Sequence, residues 1–304
     1  MAGQRPSGHK PSGNRPVRVS KRPTPTSVVA FGSIGLVVVV IIVIVLVKVT
    51  GTSSPTKPSN ALHAPAVTAA QPAVLAAIDA VTPAEATTVG EPSSVQPPRY
   101  DGGQPSLTDP AGGKPVVLFI GAEFCPFCAA ERWAIIMALS RFGTFSNLHE
   151  TTSSPWDSDP STPTFTFYKS SYTSAHLDFQ AVENESNDTT GLGTRTILQQ
   201  VTAEQGTLWQ KYETQYGQGE GYPFLDIDNK VLIVDPTYDP ALLAGLDQSQ
   251  VAQRLSNPQD PITQAIVGSA NFITAGICAA TGASASPWCT SGAVTSAAKA
   301  LGLP

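Results

Sequence analysis

Cys125-Pro126-Phe127-Cys128 is the stretch of this chain whose residue types and spacing most directly suggest chemistry. Two thiols one helical turn apart can exchange a disulfide, because one attacks and the other resolves the mixed disulfide that forms. The flanking residues support that reading. Val116 to Ile120 is a short β-branched and aromatic run, as a fully buried strand should be. Pro126 suits the first turn of a helix, where its missing N–H costs nothing. Cys125 is therefore expected to face a helix N-terminus, where unpaired N–H groups and the macrodipole lower a thiol's pKa. Cys128, one turn on, is expected to resolve. Glu123, just before the pair, is a candidate proton acceptor if burial raises its pKa, and otherwise an exposed loop carboxylate. Glu131 and Arg132 follow on the same helix, where they lie either beneath the sulfurs or against neighbouring strands.

The competing use of such cysteines is structural zinc, which takes four ligands, usually from two closely spaced pairs. The remaining two of the four cysteines, Cys278 and Cys289, are spaced poorly for a second pair. With Trp288 beside it in a loop after a helix, Cys289 reads as one half of a staple joining the last helix to the tail. A bridge closing about a dozen residues contributes roughly 3 kcal/mol by loop-closure entropy. Copper is also poorly served, since the only methionines are Met1 and Met137 and no histidine stands near the pair. No metal and no cofactor is expected, and His149 and His176 receive no role.

Two segments define the organisation before the first cysteine. Val28 to Val47 is a run of 20 residues without a charge, enough helix to cross about 30 Å of hydrocarbon. A cleaved signal peptide is the alternative, but its apolar core would be about 7 to 15 residues long. Arg5, Lys10, Arg15, Arg18, Lys21 and Arg22 precede the run with no acid among them, so the N-terminus is expected in the cytoplasm and everything after Lys48 outside. Of 18 basic groups those six lie before the span, leaving 12 against 23 acidic groups and a net charge of −11 for the remainder. Nucleic acid is an unpromising partner for so acidic a domain. An even count of cysteines beyond the span fits an oxidising compartment.

The expected organisation is a disordered basic tail over 1–27, a transmembrane helix over 28–47, a Ser/Thr/Pro linker over 48–70, and one folded domain over 71–304. Within that domain, Pro72 opens a short helix that Val81-Thr82-Pro83 ends, and Gly90 to Gly113 is mostly turns with one short strand. The redox helix runs from Ala129 to Phe142. Phe145 to Thr151, Phe165 to Tyr168 and His176 to Val182 read as strands. Thr202 and Gln205 form a capping box for a helix ending at Gly217. Phe224–Ile227 and Lys230–Val234 form a hairpin about Asp228-Asn229, and Asp247–Leu255 and Ile262–Cys278 are closing helices.

Strand, redox helix, strand, insertion, hairpin, helix is the order of a thioredoxin-like α/β fold, with the insertion between the redox helix and the hairpin. A proline directly before a central strand forfeits a ladder hydrogen bond, so Tyr222-Pro223 needs a reason. In thioredoxin-like proteins the reason is a cis-proline loop packed against the redox cysteines, which Gly221-Tyr222-Pro223 resembles; the resemblance implies a cis bond before Pro223 and makes Tyr222 and Pro223 the expected substrate-binding pair.

Gly121-Ala-Glu-Phe-Cys-Pro-Phe-Cys-Ala-Ala-Glu-Arg-Trp133, with Thr162–Tyr168, Tyr222–Ile227 and Ile277-Cys278, resembles a domain-of-unknown-function family of membrane-anchored, extracytoplasmic thioredoxin-like proteins from actinobacteria and archaea. The resemblance covers roughly Gln71 to Cys289 and implies fold and topology without a substrate. More distantly, the CPFC and Tyr-Pro pieces look like extracytoplasmic disulfide oxidoreductases, by which Cys125 attacks and Cys128 resolves. One departure stands out: Val116 to Ile120 lacks the acid that the thioredoxin pattern buries below the redox pair.

The expected activity is thiol-disulfide exchange on cysteine-containing secreted or membrane proteins, as an oxidase rather than a reductase, recycled by a separate membrane redox partner. The alternative is a non-catalytic envelope module that holds a peptide in the groove beside Pro223.

Overall fold

The computed structural model describes residues 65–187, 195–217 and 221–304. The basic tail, the apolar run and the linker as far as residue 64 lie outside the described residues. The described elements in chain order are β1 (Thr68–Ala69), α1 (Pro72–Asp79), α2 (Pro83–Val89), β2 (Arg99–Tyr100), β3 (Val116–Gly121), α3 (Pro126–Ser140), β4 (Gly143–Ser146), β5 (His149–Thr152), β6 (Pro163–Thr166), β7 (Ser171–Ser174) and β8 (Asp178–Glu183). There follow α4 (Ala203–Tyr216), β9 (Phe224–Ile227), β10 (Val231–Ile233), α5 (Gln248–Arg254), α6 (Pro261–Thr281) and α7 (Gly292–Leu301), with short 3-10 turns at Pro240–Leu243 and Pro287–Thr290.

The central sheet has the order β2-β10-β9-β3-β8. β3 is parallel to β8, from Val116 opposite Asp178 to Gly121 opposite Glu183, and antiparallel to β9. The continuous apolar character of β3 follows from helices covering both sheet faces. Val117 and Phe119 pack with α3 and α6, while Val116, Leu118 and Ile120 pack with Phe224, Leu232 and Tyr212 of α4. The chain between α3 and β8 forms two small sheets, β4-β7 and β5-β6, the second extended by β1 from the start of the described residues.

Local chemistry explains where the sequence reading and the fold diverge. Pro83 begins a second helix instead of only ending the first, because Thr82 caps it: Glu85 N–H donates to the Thr82 hydroxyl, and Thr82 N–H to the Glu85 carboxylate. The single strand expected over Phe145 to Thr151 is two, since Asn147 turns the chain at a φ of 62°. β4 then pairs with β7, and β5 with β6 and β1. Residues 65–70, expected as linker, include β1. The hairpin turns at Asp228 and Asn229, both at positive φ, as a two-residue type I′ loop requires.

α6 is long and apolar enough to cross a membrane by length and composition, but it lies buried in the core, packed against α3 and α7. Its last turn carries Cys278, bonded to Cys289 as expected, and this bridge fixes the Pro287–Thr290 turn that leads into α7. α7 had no counterpart in the sequence reading.

Candidate dithiol site

β3 ends at Gly121, and the chain crosses Ala122, Glu123 and Phe124 before Cys125 caps α3. Tight packing begins there: a side chain at Gly121 would strike the Phe119 ring and come within 3.1 Å of Cys128 Sγ. Pro126 takes the first helical position, so α3 starts at the pair itself and not at Ala129. The backbone N–H of Cys128 donates to Cys125 Sγ at 3.3 Å. Cys125 and Cys128 are not bonded to each other. Cys125 retains 5% of its surface and Cys128 none, which makes Cys125 the sulfur that can meet another molecule.

The surroundings push the two thiols apart in acidity. The hydrogen bond with the Cys128 thiol is the largest influence and lowers the pKa of Cys125; the N–H groups of Cys128 and Phe127 and the charge of Arg132 act in the same direction, against burial. Burial, then the interaction with Cys125, pushes Cys128 well above the ordinary thiol range. One sulfur is thus predisposed to be thiolate and the other to hold its proton.

Arg132 supplies the buried charge. It sits one turn beyond Cys128, fully buried, and donates from Nε to Glu183 Oε1 at 2.9 Å and from Nη2 to Glu183 Oε2 at 2.6 Å. Nη2 also donates to the Ala122 carbonyl at 2.8 Å, tying the ion pair to the loop that carries the cysteines. Arg132 Nη1 has no hydrogen-bond partner among the described residues. Burial opposes its charge, while Glu183 and both sulfurs favour it, and the net result is a raised pKa. Glu183 further accepts the Phe167 N–H at 3.1 Å. Glu131 turns the other way, toward α6: its carboxylate accepts from Thr237 N at 3.0 Å and from the hydroxyls of Thr237 and Ser269 at 2.8 and 2.9 Å.

Glu123 is buried, not exposed, and accepts from the Thr166 hydroxyl at 2.7 Å. Burial raises its pKa, helped by the nearby charge of Glu183, against the Thr166 hydrogen bond and Arg132. Val116 to Ile120 carries no acid, but two carboxylates are buried beyond it, Glu123 just after β3 and Glu183 at the end of β8.

Tyr222-Pro223 is cis. The Tyr222 ring stacks on Trp209 at 5.3 Å, meets Phe124 edge-on at 6.3 Å, and its hydroxyl donates to Asn184 Oδ1 at 3.0 Å. Burial raises the Tyr222 pKa, and the two sulfurs are close enough to contribute. The structure therefore brings Tyr222 to the loop that carries Glu123, Cys125 and Cys128; Pro223 is buried, and Phe124 and Phe127 are half-buried. Phe127 also lines a groove of about 580 Å³ with Pro97, Pro98, Arg99 and Leu232. Cys278 and Cys289 form the separate bridge already described. Sequence reasoning missed Glu183, Thr166, Asn184 and Trp209. Their signal was weak: the strand expected to end at Val182 stops one residue short of Glu183.

Among the described residues, no group of three or more His, Cys, Asp and Glu side chains is arranged to hold a metal ion.

The fold and site define a mixed α/β protein with an unbonded CxxC pair at the first turn of a buried helix, above a buried ion pair. A family model described as domain of unknown function DUF929 matches residues 106–279, more than half of the chain, and the protein belongs to that family. No curated protein and no solved structure matches it.

Proposed function

We propose that this protein is a membrane-anchored, extracytoplasmic thiol-disulfide oxidoreductase of thioredoxin-like fold. The observation that carries the reading is the Cys125 sulfur at the amino end of α3, holding the Cys128 N–H with Arg132 charge behind it. Supporting the fold are the parallel β3-α3-β8 crossover, the antiparallel β9-β10 pair beside β3, and Tyr222-Pro223 against the cysteine loop. Supporting the topology is the charge-free run Val28 to Val47 behind a basic tail.

In the oxidising direction the pair begins as a disulfide. A client thiolate attacks Cys125 Sγ, the Cys125–Cys128 bond breaks, and Cys128 leaves with the electron pair. Its preference for a proton draws one from a neighbouring acid, and Glu123, buried with a raised pKa, is suited to give it. A second client thiolate then attacks the client sulfur of the mixed disulfide, and Cys125 leaves as a thiolate. The client gains a disulfide, and the two electrons stay on the reduced pair until a membrane redox partner removes them. Stabilising the Cys125 thiolate stabilises the reduced pair, which makes the oxidised pair a stronger oxidant.

The alternative is a non-catalytic envelope module with the same groove, and the 5% exposure of Cys125 favours it. Cys128→Ala separates the two. A catalytic Cys125 then retains client proteins as mixed disulfides in cells, and these vanish in the Cys125→Ser/Cys128→Ala double variant. An empty trap favours the binding module.

A further inference from the structure

β3 and β10 finish at the same end of the central sheet, because β9 runs antiparallel to both. α3 begins there, with the cysteines at its first turn. At that end the edge of the sheet is incomplete. β2 follows β10 only where Tyr100 lies opposite Val231 and Arg99 opposite Leu232. To go further the ladder would need an N–H from Pro97 or Pro98, and a proline has none. The two segments meet again at Gln96, whose N–H donates to the Thr237 carbonyl at 2.7 Å. Pro97 and Pro98 thus face the longer stretch from Ile233 to Pro236, and the groove of about 580 Å³ opens between them.

Phe127, between the two cysteines, joins this groove to the dithiol. Its backbone N–H is one of those that favour the Cys125 thiolate, and its half-buried side chain is part of the groove lining. Pro97 is exposed on one wall and Pro236 half-buried on the other. The lining carries one base, Arg99, and one acid, Asp235, so its charges offset each other. Val234 lies along the open stretch, and neither its N–H nor its C=O has a hydrogen-bond partner among the described residues. An unpaired length of strand edge is satisfied by another extended backbone, and an aromatic ring between prolines by an uncharged apolar side chain. A stretch of extended polypeptide supplies both; a small molecule or a charged segment does not.

We propose that this groove holds the segment of a client that flanks its cysteine, extended, with an apolar side chain against Phe127, Pro97 and Pro236 and its backbone against Val234. The proposal rests on the reading of Cys125 and Cys128 as an exchanging pair. It narrows the clients to chains that present an unfolded apolar stretch beside a thiol. A client sulfur bonded to Cys125 carries its neighbouring residues to Phe127, so docking in the groove and attack at the sulfur reinforce each other.

The test uses the full chain in lipid nanodiscs, with the Cys125–Cys128 pair first closed by oxidised glutathione, and follows opening of the pair by alkylation and mass. The reductants are glutathione and two dicysteine peptides that differ only in the residues flanking the cysteines, Leu and Val in one, Ser and Gly in the other. Each peptide gives up two electrons and two protons as its thiols join in a disulfide, and the protein pair takes them up. The apolar peptide is expected to react at least about tenfold faster than the polar one. Methylating the backbone nitrogen beside its cysteine, which removes an N–H that Val234 could accept, is expected to slow it about fivefold. Pro97→Val, which returns an N–H to the open stretch of ladder, is expected to bring the two peptides within about threefold of each other. Apolar and polar peptides within about twofold on the unaltered chain, or a preference untouched by both N-methylation and Pro97→Val, overturns the groove and leaves the dithiol reading standing. A pair that neither glutathione nor either peptide opens overturns the dithiol reading, and the proposal with it.

Discussion

Cys125/Cys128 and Cys278/Cys289 both sit at the ends of buried helices, yet one pair is open and the other closed. Cys125 caps the amino end of α3, where N–H groups and the dipole favour a negative sulfur. Cys278 lies in the last turn of α6, at the carbonyl end, where a thiolate is disfavoured and the carbonyl of Cys278 is occupied by the N–H of Gly282. The first pair also has a buried guanidinium one turn below it. The second fixes the turn before α7. On the proposed reading, the polarity of the helix end distinguishes a sulfur poised for exchange from one that staples.

The largest test of that contrast is Cys125→Ser. Exchange with a disulfide peptide is expected to fall about a thousandfold or more, since the attacking thiolate is gone, while stability changes by less than about 1 kcal/mol. Insulin reduction kinetics and urea unfolding measure the two effects. Arg132→Met comes next. It leaves Glu183 buried and uncompensated, an expected loss of about 3–5 kcal/mol, and pairing it with Glu183→Leu should restore most of that. In the double variant, the pH midpoint for iodoacetamide alkylation of Cys125 should move upward; an unchanged midpoint would separate the ion pair from the thiol. Replacing Cys278 and Cys289 by alanine is expected to cost roughly 3 kcal/mol and leave exchange within about twofold, because the bridge adds stability without chemistry.

A smaller effect comes from the other face of the sheet. Asp226 is fully buried in β9, takes the Asn229 N–H at 2.7 Å, and has its second oxygen unpartnered. Burial raises its pKa to about 7. The unfolded chain ionises near pH 4 while the folded chain keeps the proton, so Asp226 makes stability fall as pH rises from about 4 to about 7. Asp226→Asn should flatten that slope in thermal melts, add about 1–2 kcal/mol at pH 8, and leave the alkylation midpoint of Cys125 unmoved. Cys125 acts with the opposite sign. Its lowered folded pKa gives the reduced protein stability that is complete above the ordinary thiol pKa and lost as pH falls through the folded value.

The junction of β3 and α3 was legible because its signals are local: an apolar run, a cysteine at the cap and a proline at the first helical position. The hairpin at Asp228-Asn229 and the capping box at Thr202 were legible for the same reason. The ion pair under the cysteines was not. Arg132 and Glu183 are 51 residues apart, and they meet because Glu183 lies opposite Gly121 in the β3–β8 register, which no local pattern encodes. Glu131 and Arg132 were equivalent on sequence; packing sends one to Thr237 and the other to Glu183. Pro83 was read as a terminator although Pro72 and Pro126 were read as starters. The discriminating signal, Thr82 with Glu85 three residues on, was present in the sequence.

The most direct test of the account is equilibration of the full chain with glutathione redox buffers, following the Cys125/Cys128 pair by alkylation and mass. A thiolate held at the helix N-terminus over Arg132 predicts an oxidising pair, at about −200 to −120 mV. A potential below about −300 mV would mark a structural bridge and contradict the account.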